Sequence, residues 1–113
     1  MYTIQTLVEK VENSSISALI KTNHIYVIPV LNADSYHALS EFWSVSKTPR
    51  TKNFSKSTCQ TDDQKSGVRL NNNFEVQWGA DDLGSSSDPC SKQYRGEKAG
   101  SEPEVRGLSE LAR

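Results

Sequence analysis

The sequence predicts an α/β fold, because two amphipathic helical segments precede a short buried strand. Residues 2–12 carry apolar side chains at helical spacing, and after a break at Asn13 and Ser14 the same spacing returns over residues 16–20. Residues 25–30, IYVIPV, form a continuous apolar run that is rich in β-branched and aromatic residues. Such a run is typical of a strand buried on both faces, and helices packed against it favour a largely parallel sheet.

Further elements follow along the chain. A turn and a helical stretch are predicted over residues 32–43, and a second short strand over residues 68–70. The polar segment between them, residues 44–67, predicts a long loop. A C-terminal helix is also predicted, with Ser101 as its N-cap and Glu104, three residues later, completing a capping box.

The composition argues against several classes of function. The chain has 113 residues, of which 35% are hydrophobic and 24% charged, and its net charge is -1. This near-neutral balance gives no basic face for nucleic acid, and no apolar run approaches the roughly 18 residues that indicate a membrane span. Glu9 and Glu12 interrupt the apolar stretch that a signal peptide requires. Cys59 and Cys90 are too few for a structural zinc and can form one bridge or remain two thiols.

Three segments together resemble one known family. Residues 25–36, IYVIPVLNADSY, are similar to a strand and turn that ends in xPxxNPDGY. Cys59 followed by residues 67–74, GVRLNNNF, is similar to a cysteine followed by GVDLNRNF. Residues 84–105, GSSSDPCSKQYRGEKAGSEPEV, match GASSxPCSExYRGxxAxSEPEx almost position for position. In this order the segments resemble the zinc metallocarboxypeptidases of the carboxypeptidase A/B type, over most of residues 20–106.

The resemblance implies a larger domain than this chain. The family fold is an eight-stranded mixed sheet with helices on both faces. Residues 1–113 are therefore expected to be a slice of that peptidase domain, continuing beyond both ends, with residues 60–66 as an inserted loop.

The zinc ligands of the family are not expected within this chain. The family holds zinc with a His-x-x-Glu motif and a second, distant His, but neither His24 nor His37 begins a His-x-x-Glu sequence. His24 is interpreted as a polar residue at the start of the strand, and His37 as the partner of Glu41 in a surface pair. The upstream motif, the second His and the general-base Glu are expected outside residues 1–113. Zinc is thus the cofactor expected of the complete domain, and no catalytic or metal-binding residue is predicted here.

Substrate binding is implied at the asparagine triplet. In the family an Asn-Arg-Asn sequence grips the terminal carboxylate of the peptide, and a guanidinium suits this role because its planar fork pairs both oxygens. Asn71 and Asn73 match the two asparagines, and Asn72 stands where the arginine is expected. An amide brings no charge, so carboxylate binding is expected to be weaker. Arg69, where the family usually has Asp, is not expected to compensate, because alternation along a strand directs it away from Asn72.

A second family arginine polarises the scissile carbonyl. Aligning Lys52-Asn53 with the Lys-Asn pair of the family segment puts Thr51 at the position of this arginine, and a shift of one residue lets Arg50 serve instead. The alternative for Arg50 is a residue of a solvated basic loop. Cys59 and Cys90 stand where the family has its disulfide, and a disulfide argues for an oxidising compartment.

Two functions therefore remain open. The resemblance implies a fragment of a zinc-dependent metallocarboxypeptidase, which removes C-terminal residues from peptides or proteins and is expected to be inactive as this chain. The alternative is a non-catalytic, peptide-binding homologue, which the residues at 72 and 51 favour. An extracellular or secretory/lysosomal location is expected, with the C-terminus of a peptide or protein as partner and neither nucleic acid nor membrane.

Overall fold

The computed structural model describes residues 2–42, 50–56, 59 and 65–113, in two compact units that divide the chain into residues 1–31 and 32–113. No helix in the described part is long and apolar enough to cross a membrane. The helices are α1 (Tyr2–Glu9), α2 (Ser14–Thr22), α3 (Ala33–Phe42), a 3₁₀-helix (Leu70–Asn72) and α4 (Pro103–Leu111).

The first unit contains the two helices predicted at the start of the chain. The first ends at Glu9, three residues earlier than predicted, and Asn13 begins the second. The Asn13 side chain accepts hydrogen bonds from the backbone N–H groups of Ser15 and Ile16, at 3.1 and 3.5 Å, which satisfies donors that a helix start leaves open. Asn13 therefore caps α2 at the break between the two helical segments.

The predicted strand over residues 25–30 is wrong for this structure. This segment has no regular secondary structure, and its apolar side chains are exposed, from 40% for Val30 to 66% for Tyr26. A strand exists through its ladder of hydrogen bonds to a neighbour, and no described segment makes a backbone hydrogen bond to these residues. A suitable composition without a neighbouring strand therefore leaves the segment irregular.

The mixed sheet is likewise not present in the described residues. Their β-pairing is one isolated parallel bridge, between Ser86 and Tyr94. At the second predicted strand, residues 68–70, Val68 and Arg69 precede the 3₁₀-helix and each makes one backbone hydrogen bond to a different segment. Val68 accepts from the Asn53 N–H at 3.0 Å, and Arg69 donates to the Tyr94 carbonyl at 2.9 Å. The backbone lies between two neighbours as a strand would, but the pairing does not extend into a ladder.

Helix α3 begins the second unit, as the turn-and-helix prediction indicated. The Asn32 side chain accepts from the Ser35 N–H at 2.9 Å, the bond typical of a helix N-cap. The start of the helix also holds a distant segment, because Asp34 accepts the Phe54 N–H at 2.7 Å and the Ser35 hydroxyl donates to the Arg50 carbonyl. The predicted insertion at residues 60–66 lies outside the described residues, apart from its last two.

The core of the second unit combines polar and apolar residues. Val105 of α4 is fully buried, together with Val68, Leu70 and Tyr94. Four described polar side chains are nearly as inaccessible, with exposures of 0% to 4%: Lys52, Asn53, Asn73 and Glu102. A buried polar group lowers stability unless it is hydrogen-bonded, so the contacts of these four side chains decide whether this core is stable.

Asn73 uses its whole side chain to join three segments. Its amide nitrogen donates to the carbonyls of Arg95 at 2.8 Å and Lys98 at 3.1 Å, and to the Ser101 hydroxyl at 2.9 Å. Its amide oxygen accepts the Glu102 N–H at 3.0 Å. The side chain therefore orders both the loop before α4 and the first residue of the helix start.

The start of α4 differs from the predicted capping box. Glu102, not Ser101, is the N-cap residue, and it makes no side-chain cap hydrogen bond. Ser101 instead accepts from Asn73 and donates to the Glu102 carboxylate at 2.7 Å, while Glu104 accepts from Asn53 at 3.3 Å. The prediction failed because tertiary partners occupy both side chains that the local motif requires.

A disulfide joins Cys59 to Cys90 across 31 residues, with the two Cα atoms 4.9 Å apart. This is the pairing that the family resemblance implies. The disulfide joins the segment before the 3₁₀-helix to the loop between Ser86 and Tyr94, the two residues of the isolated β-bridge.

Replacing Asn73 by Ala is expected to lower the free energy of unfolding by about 3 kcal/mol, because it removes the four hydrogen bonds of a fully buried side chain and leaves the Glu102 N–H without a partner among the described residues. Urea denaturation followed by tryptophan fluorescence measures this change. Asn71→Ala is the matched control: Asn71 is exposed, and its side chain makes no hydrogen bond to the described residues. A loss at Asn73 no larger than that at Asn71 would contradict the role given to the buried amide.

Replacing both cysteines by serine is expected to lower the free energy of unfolding by about 3–4 kcal/mol, because the unfolded chain then regains loop-closure entropy. The same denaturation assay, run with and without reductant, measures the effect. Reductant should destabilise the parent protein and leave the Cys59→Ser/Cys90→Ser variant unchanged. Equal sensitivity of both proteins to reductant would argue against the bridge.

Candidate substrate-carboxylate site

The asparagine triplet lies on and just after the 3₁₀-helix. A 3₁₀-helix has three residues per turn, so consecutive side chains point in different directions. Accordingly Asn71 is exposed, Asn72 is half-buried and Asn73 is fully buried. Three identical side chains thus have three different environments.

Asn72 anchors two loops. Its amide nitrogen donates to the carbonyls of Gly84 at 3.1 Å and Gln93 at 2.9 Å, and lies 3.4 Å from the Gln93 side-chain oxygen. Its two N–H bonds are thus directed at protein acceptors. The prediction that Asn72 takes part in substrate binding stays a prediction, and the structure gives this side chain a positioning role beside the exposed Asn71.

Arg69 lies next to Asn72, contrary to the expectation from strand alternation. One guanidinium nitrogen of Arg69 donates to the Gln93 side-chain oxygen at 2.7 Å, and this is the oxygen that Asn72 approaches. The reason is the change of element: the backbone is extended at Arg69 and enters the 3₁₀-helix at Leu70, so the alternation of a continuous strand does not relate residues 69 and 72. Arg69 is the residue that caps this helix.

Arg50 faces protein carbonyls. Its guanidinium donates to Lys52 at 3.0 Å, Asn53 at 2.8 Å and Ser66 at 2.6 Å, and it stacks 4.5 Å from the centre of the Phe54 ring. Burial lowers the pKa of Arg50 from its ordinary value, and the Asp34 carboxylate opposes that shift. The predicted role in polarising a scissile carbonyl stays a prediction. In this structure the side chain holds its own loop.

Lys52 is a buried anchor that the sequence did not reveal. Its ammonium donates to three carbonyls, those of Lys65, Pro89 at 2.9 Å and Ser91 at 2.9 Å, so all three of its protons have acceptors. It also lies 5.5 Å from the centre of the Tyr94 ring. Burial is the main cause that lowers the pKa of Lys52, the nearby Arg50 charge adds to it, and Asp88 opposes it.

Asn53, the next residue, also escaped prediction. Its amide nitrogen donates to Glu102 at 2.7 Å and Glu104 at 3.3 Å, and its oxygen accepts the N–H groups of Val68 at 2.9 Å and Ser55 at 3.2 Å. The backbone at Gly67, whose φ is +95°, passes very close to the backbone of Asn53. A Cβ on Gly67 would overlap the Asn53 carbonyl. The Lys-Asn pair that matched the family motif was the available signal, but a motif match did not show that both side chains are buried.

Tyr94 is a buried residue whose ring lies beside the Lys52 ammonium. It is 5% exposed, and its backbone carbonyl accepts the Arg69 N–H. Burial raises the pKa of Tyr94, and the carboxylates of Glu97 and Glu102 act in the same direction. A tyrosine phenol is neutral at physiological pH without any shift, and burial favours that form further, which suits a packing role.

A second stacked pair orders the loop after the triplet. The Arg95 guanidinium lies 5.3 Å from the centre of the Trp78 ring and forms an ion pair with Asp82 at 2.6 Å, while the indole N–H donates to the Arg95 carbonyl at 3.1 Å. The loop that carries Gly84, an acceptor of Asn72, is therefore held from both ends. The result is a fixed frame around the 3₁₀-helix.

The prediction that zinc is bound outside this chain stays a prediction. No group of three or more His, Cys, Asp or Glu side chains among them is placed to hold a metal ion. His24 belongs to the first unit and His37 to the second. No catalytic step through zinc is therefore assigned to the residues described here.

Comparison with known proteins agrees with the class that the motifs indicate. The family model for zinc carboxypeptidases matches residues 1–113, and the chain belongs to this family. Human carboxypeptidase A6 is 35% identical over 96 residues, which cover 80% of this chain and 19% of that protein.

Other relatives give the same picture. A zinc carboxypeptidase of Simulium vittatum is 31% identical over 103 residues, which cover 88% of the chain and 30% of that protein. Bovine carboxypeptidase B is 32% identical over 91 residues, covering 78% of the chain and 19% of that protein. The chain thus spans 19% to 30% of the length of these relatives.

Replacing Lys52 by Met is expected to lower the free energy of unfolding by about 2–3 kcal/mol, since three carbonyl groups lose their donor while the apolar stem is kept. Chemical denaturation measures this loss in the free energy of unfolding. Lys56→Met is the matched control, because Lys56 is exposed and its loss is expected to change stability by less than about 0.5 kcal/mol. Equal effects of the two variants would contradict the anchoring role of Lys52.

Proposed function

We propose that the chain is the substrate-binding part of a zinc-dependent carboxypeptidase that removes C-terminal residues from peptides or proteins. The observation that carries this proposal is the turn at residues 69–73. It presents Asn71, which matches an asparagine of the family's carboxylate-binding motif, on a base fixed by the buried Asn73. A site must be held rigidly to recognise a small group such as a carboxylate, and the hydrogen bonds of Asn73 provide that rigidity.

The chemistry at the scissile bond belongs to other parts of the complete protein in this proposal. Bound zinc would activate water and polarise the carbonyl. The residues of this chain bind and orient the C-terminus of the substrate, and the 113-residue chain alone is proposed to be inactive. The two histidines, neither in a His-x-x-Glu sequence, support this division.

A non-catalytic, peptide-binding homologue is the second candidate, and one observation favours it. Asn72 replaces the family's charged residue, and its donors are directed at Gly84 and Gln93. A protein that kept the frame and lost this charge would bind peptide C-termini more weakly. The disulfide supports an extracellular or secretory location for either candidate.

The isolated 113-residue chain is expected to retain less than about 0.1 zinc per chain after loading and dialysis, because a catalytic site needs three protein ligands. Atomic absorption on the purified chain measures this, together with release of C-terminal residues from a mixed set of peptides. One zinc per chain, or any chelator-sensitive release, would overturn the proposed division of roles.

Extending the reading frame on both sides and expressing the complete protein separates the two candidates. A carboxypeptidase is expected to release C-terminal residues in a chelator-sensitive manner. A folded, zinc-containing protein that binds peptides without cleaving them would instead establish the second candidate. Circular dichroism and metal content of the same preparation control for misfolding.

A further inference from the structure

The sequence contains two acceptor motifs for N-linked glycans, which the proposed function does not use. Each consists of an asparagine, a residue other than proline, and a serine: Asn13-Ser14-Ser15 and Asn53-Phe54-Ser55. A folded secreted protein carries such a glycan on an asparagine at its surface, because the sugar is bulky and strongly hydrated. Motifs this short also arise by chance, so the surroundings of each asparagine decide whether it can be modified.

Asn53 lies inside the second unit, and this fold has no place for a glycan on it. Only 2% of the residue is exposed. Its amide nitrogen donates to Glu102 at 2.7 Å and to Glu104 at 3.3 Å, so both N–H bonds are used within the protein. A sugar on that nitrogen would remove one of these donors and would need space that a closely packed interior does not provide.

Asn13 lies at an exposed turn between α1 and α2. All residues from 9 to 15 are exposed. The amide oxygen of Asn13 accepts the N–H groups of Ser15 and Ile16 as the cap of α2, while its amide nitrogen makes no hydrogen bond to the described residues. The two ends of this side chain therefore differ in role, because the oxygen stabilises the helix start and the nitrogen is accessible for modification.

The apolar surface of the first unit lies away from this motif. Its groove is lined mainly by apolar side chains: Ile4, Leu7, Val8, Ile20, Ile25 and Val27. In a longer protein, segments that pack on this unit are expected to cover such apolar surface in preference to a polar turn, because the burial of apolar surface stabilises the contact. The turn at Asn13 is thus expected to stay at the surface of the complete protein.

We propose that Asn13 is a site of N-linked glycosylation and that Asn53 is not. In the transfer, the Asn13 amide nitrogen forms a bond to the anomeric carbon of an oligosaccharide carried on a lipid diphosphate. The bond from that carbon to the diphosphate oxygen breaks, the lipid diphosphate leaves with the electron pair, and the nitrogen gives up one proton. The amide oxygen takes no part in the new bond, so it continues to cap α2.

This inference rests on the secretory location proposed above, because the transfer takes place in that pathway. The disulfide between Cys59 and Cys90 supports the same location. The inference does not depend on whether the complete protein cleaves peptides or only binds them.

The test uses the complete protein, expressed from its own reading frame in cultured eukaryotic cells. Peptide-N-glycosidase in water enriched in heavy oxygen converts a glycosylated asparagine into a labelled aspartate, which mass spectrometry of proteolytic peptides locates. Residue 13 is expected to carry the label, and residue 53 is expected to be an unlabelled asparagine. A glycan at residue 53 of the folded, secreted protein would contradict the exclusion drawn from its burial.

Three serine variants test the motif without replacing either asparagine. Ser15→Ala is expected to abolish the label at residue 13, because it removes the hydroxyl of the motif, whereas Ser15→Thr keeps a hydroxyl and is expected to retain the label. Ser55→Ala is the matched control, since it removes only the second motif and should leave the glycan unchanged. A label at residue 13 that survives Ser15→Ala would argue against this motif as its origin.

Failure of the site and failure of the location give different results. A secreted, disulfide-bonded protein that is unlabelled at residue 13 would overturn this inference and leave the proposed location intact. A protein that stays in the cytosol, with reduced cysteines and no glycan, would overturn the location and this inference together.

Discussion

The second unit depends most on one constraint: the polar side chains in its interior need hydrogen-bond partners, because the core has few large apolar side chains. Asn73 meets that constraint for the loop before α4, since its single amide is bonded to the backbone of Arg95, Lys98 and Glu102. Gly96 leaves room for it, because a Cβ there would lie 2.6 Å from the Asn73 nitrogen. An apolar residue at 73 would remove these bonds and leave the Glu102 N–H without a partner among the described residues, so this core is organised by hydrogen bonds as well as by apolar packing.

Local signals predicted the helices well and the strands poorly. Asn13 begins α2 because a cap needs only its own turn, and α3 likewise follows directly from Asn32. A strand depends on a partner segment that composition cannot supply. Residues 25–30 have the composition of a buried strand, yet they pair with no described segment and stay exposed. The family, by contrast, was identified from motifs. A motif match identifies the family directly, without first deriving the contacts that its residues make in the whole domain.

At the candidate site, a wrong secondary-structure prediction also led to a wrong prediction of which side chains lie together. Assigning residues 68–70 to a strand directed Arg69 away from Asn72, whereas the chain turns into a 3₁₀-helix directly after Arg69 and both side chains approach the Gln93 side-chain oxygen. Lys52 was missed for a related reason: a lysine in a polar stretch predicts a solvated side chain, and only the fold brings three carbonyls from two segments around its ammonium. Side chains whose roles depend on residues 13 to 39 positions away are outside the reach of a local pattern.

The asparagines at positions 72 and 73 make different contacts, and these contacts set different requirements for the residue at each position. Position 73 must both donate and accept inside the core, a requirement that an amide meets and an arginine cannot, because a guanidinium has no acceptor. Position 72 faces the loops at residues 84 and 93, where its amide donates to the carbonyls of Gly84 and Gln93. Residue 73 instead holds the loop before α4 and the start of that helix. A change at position 72 can therefore alter the loops at residues 84 and 93 while the hydrogen-bonded core around residue 73 stays intact.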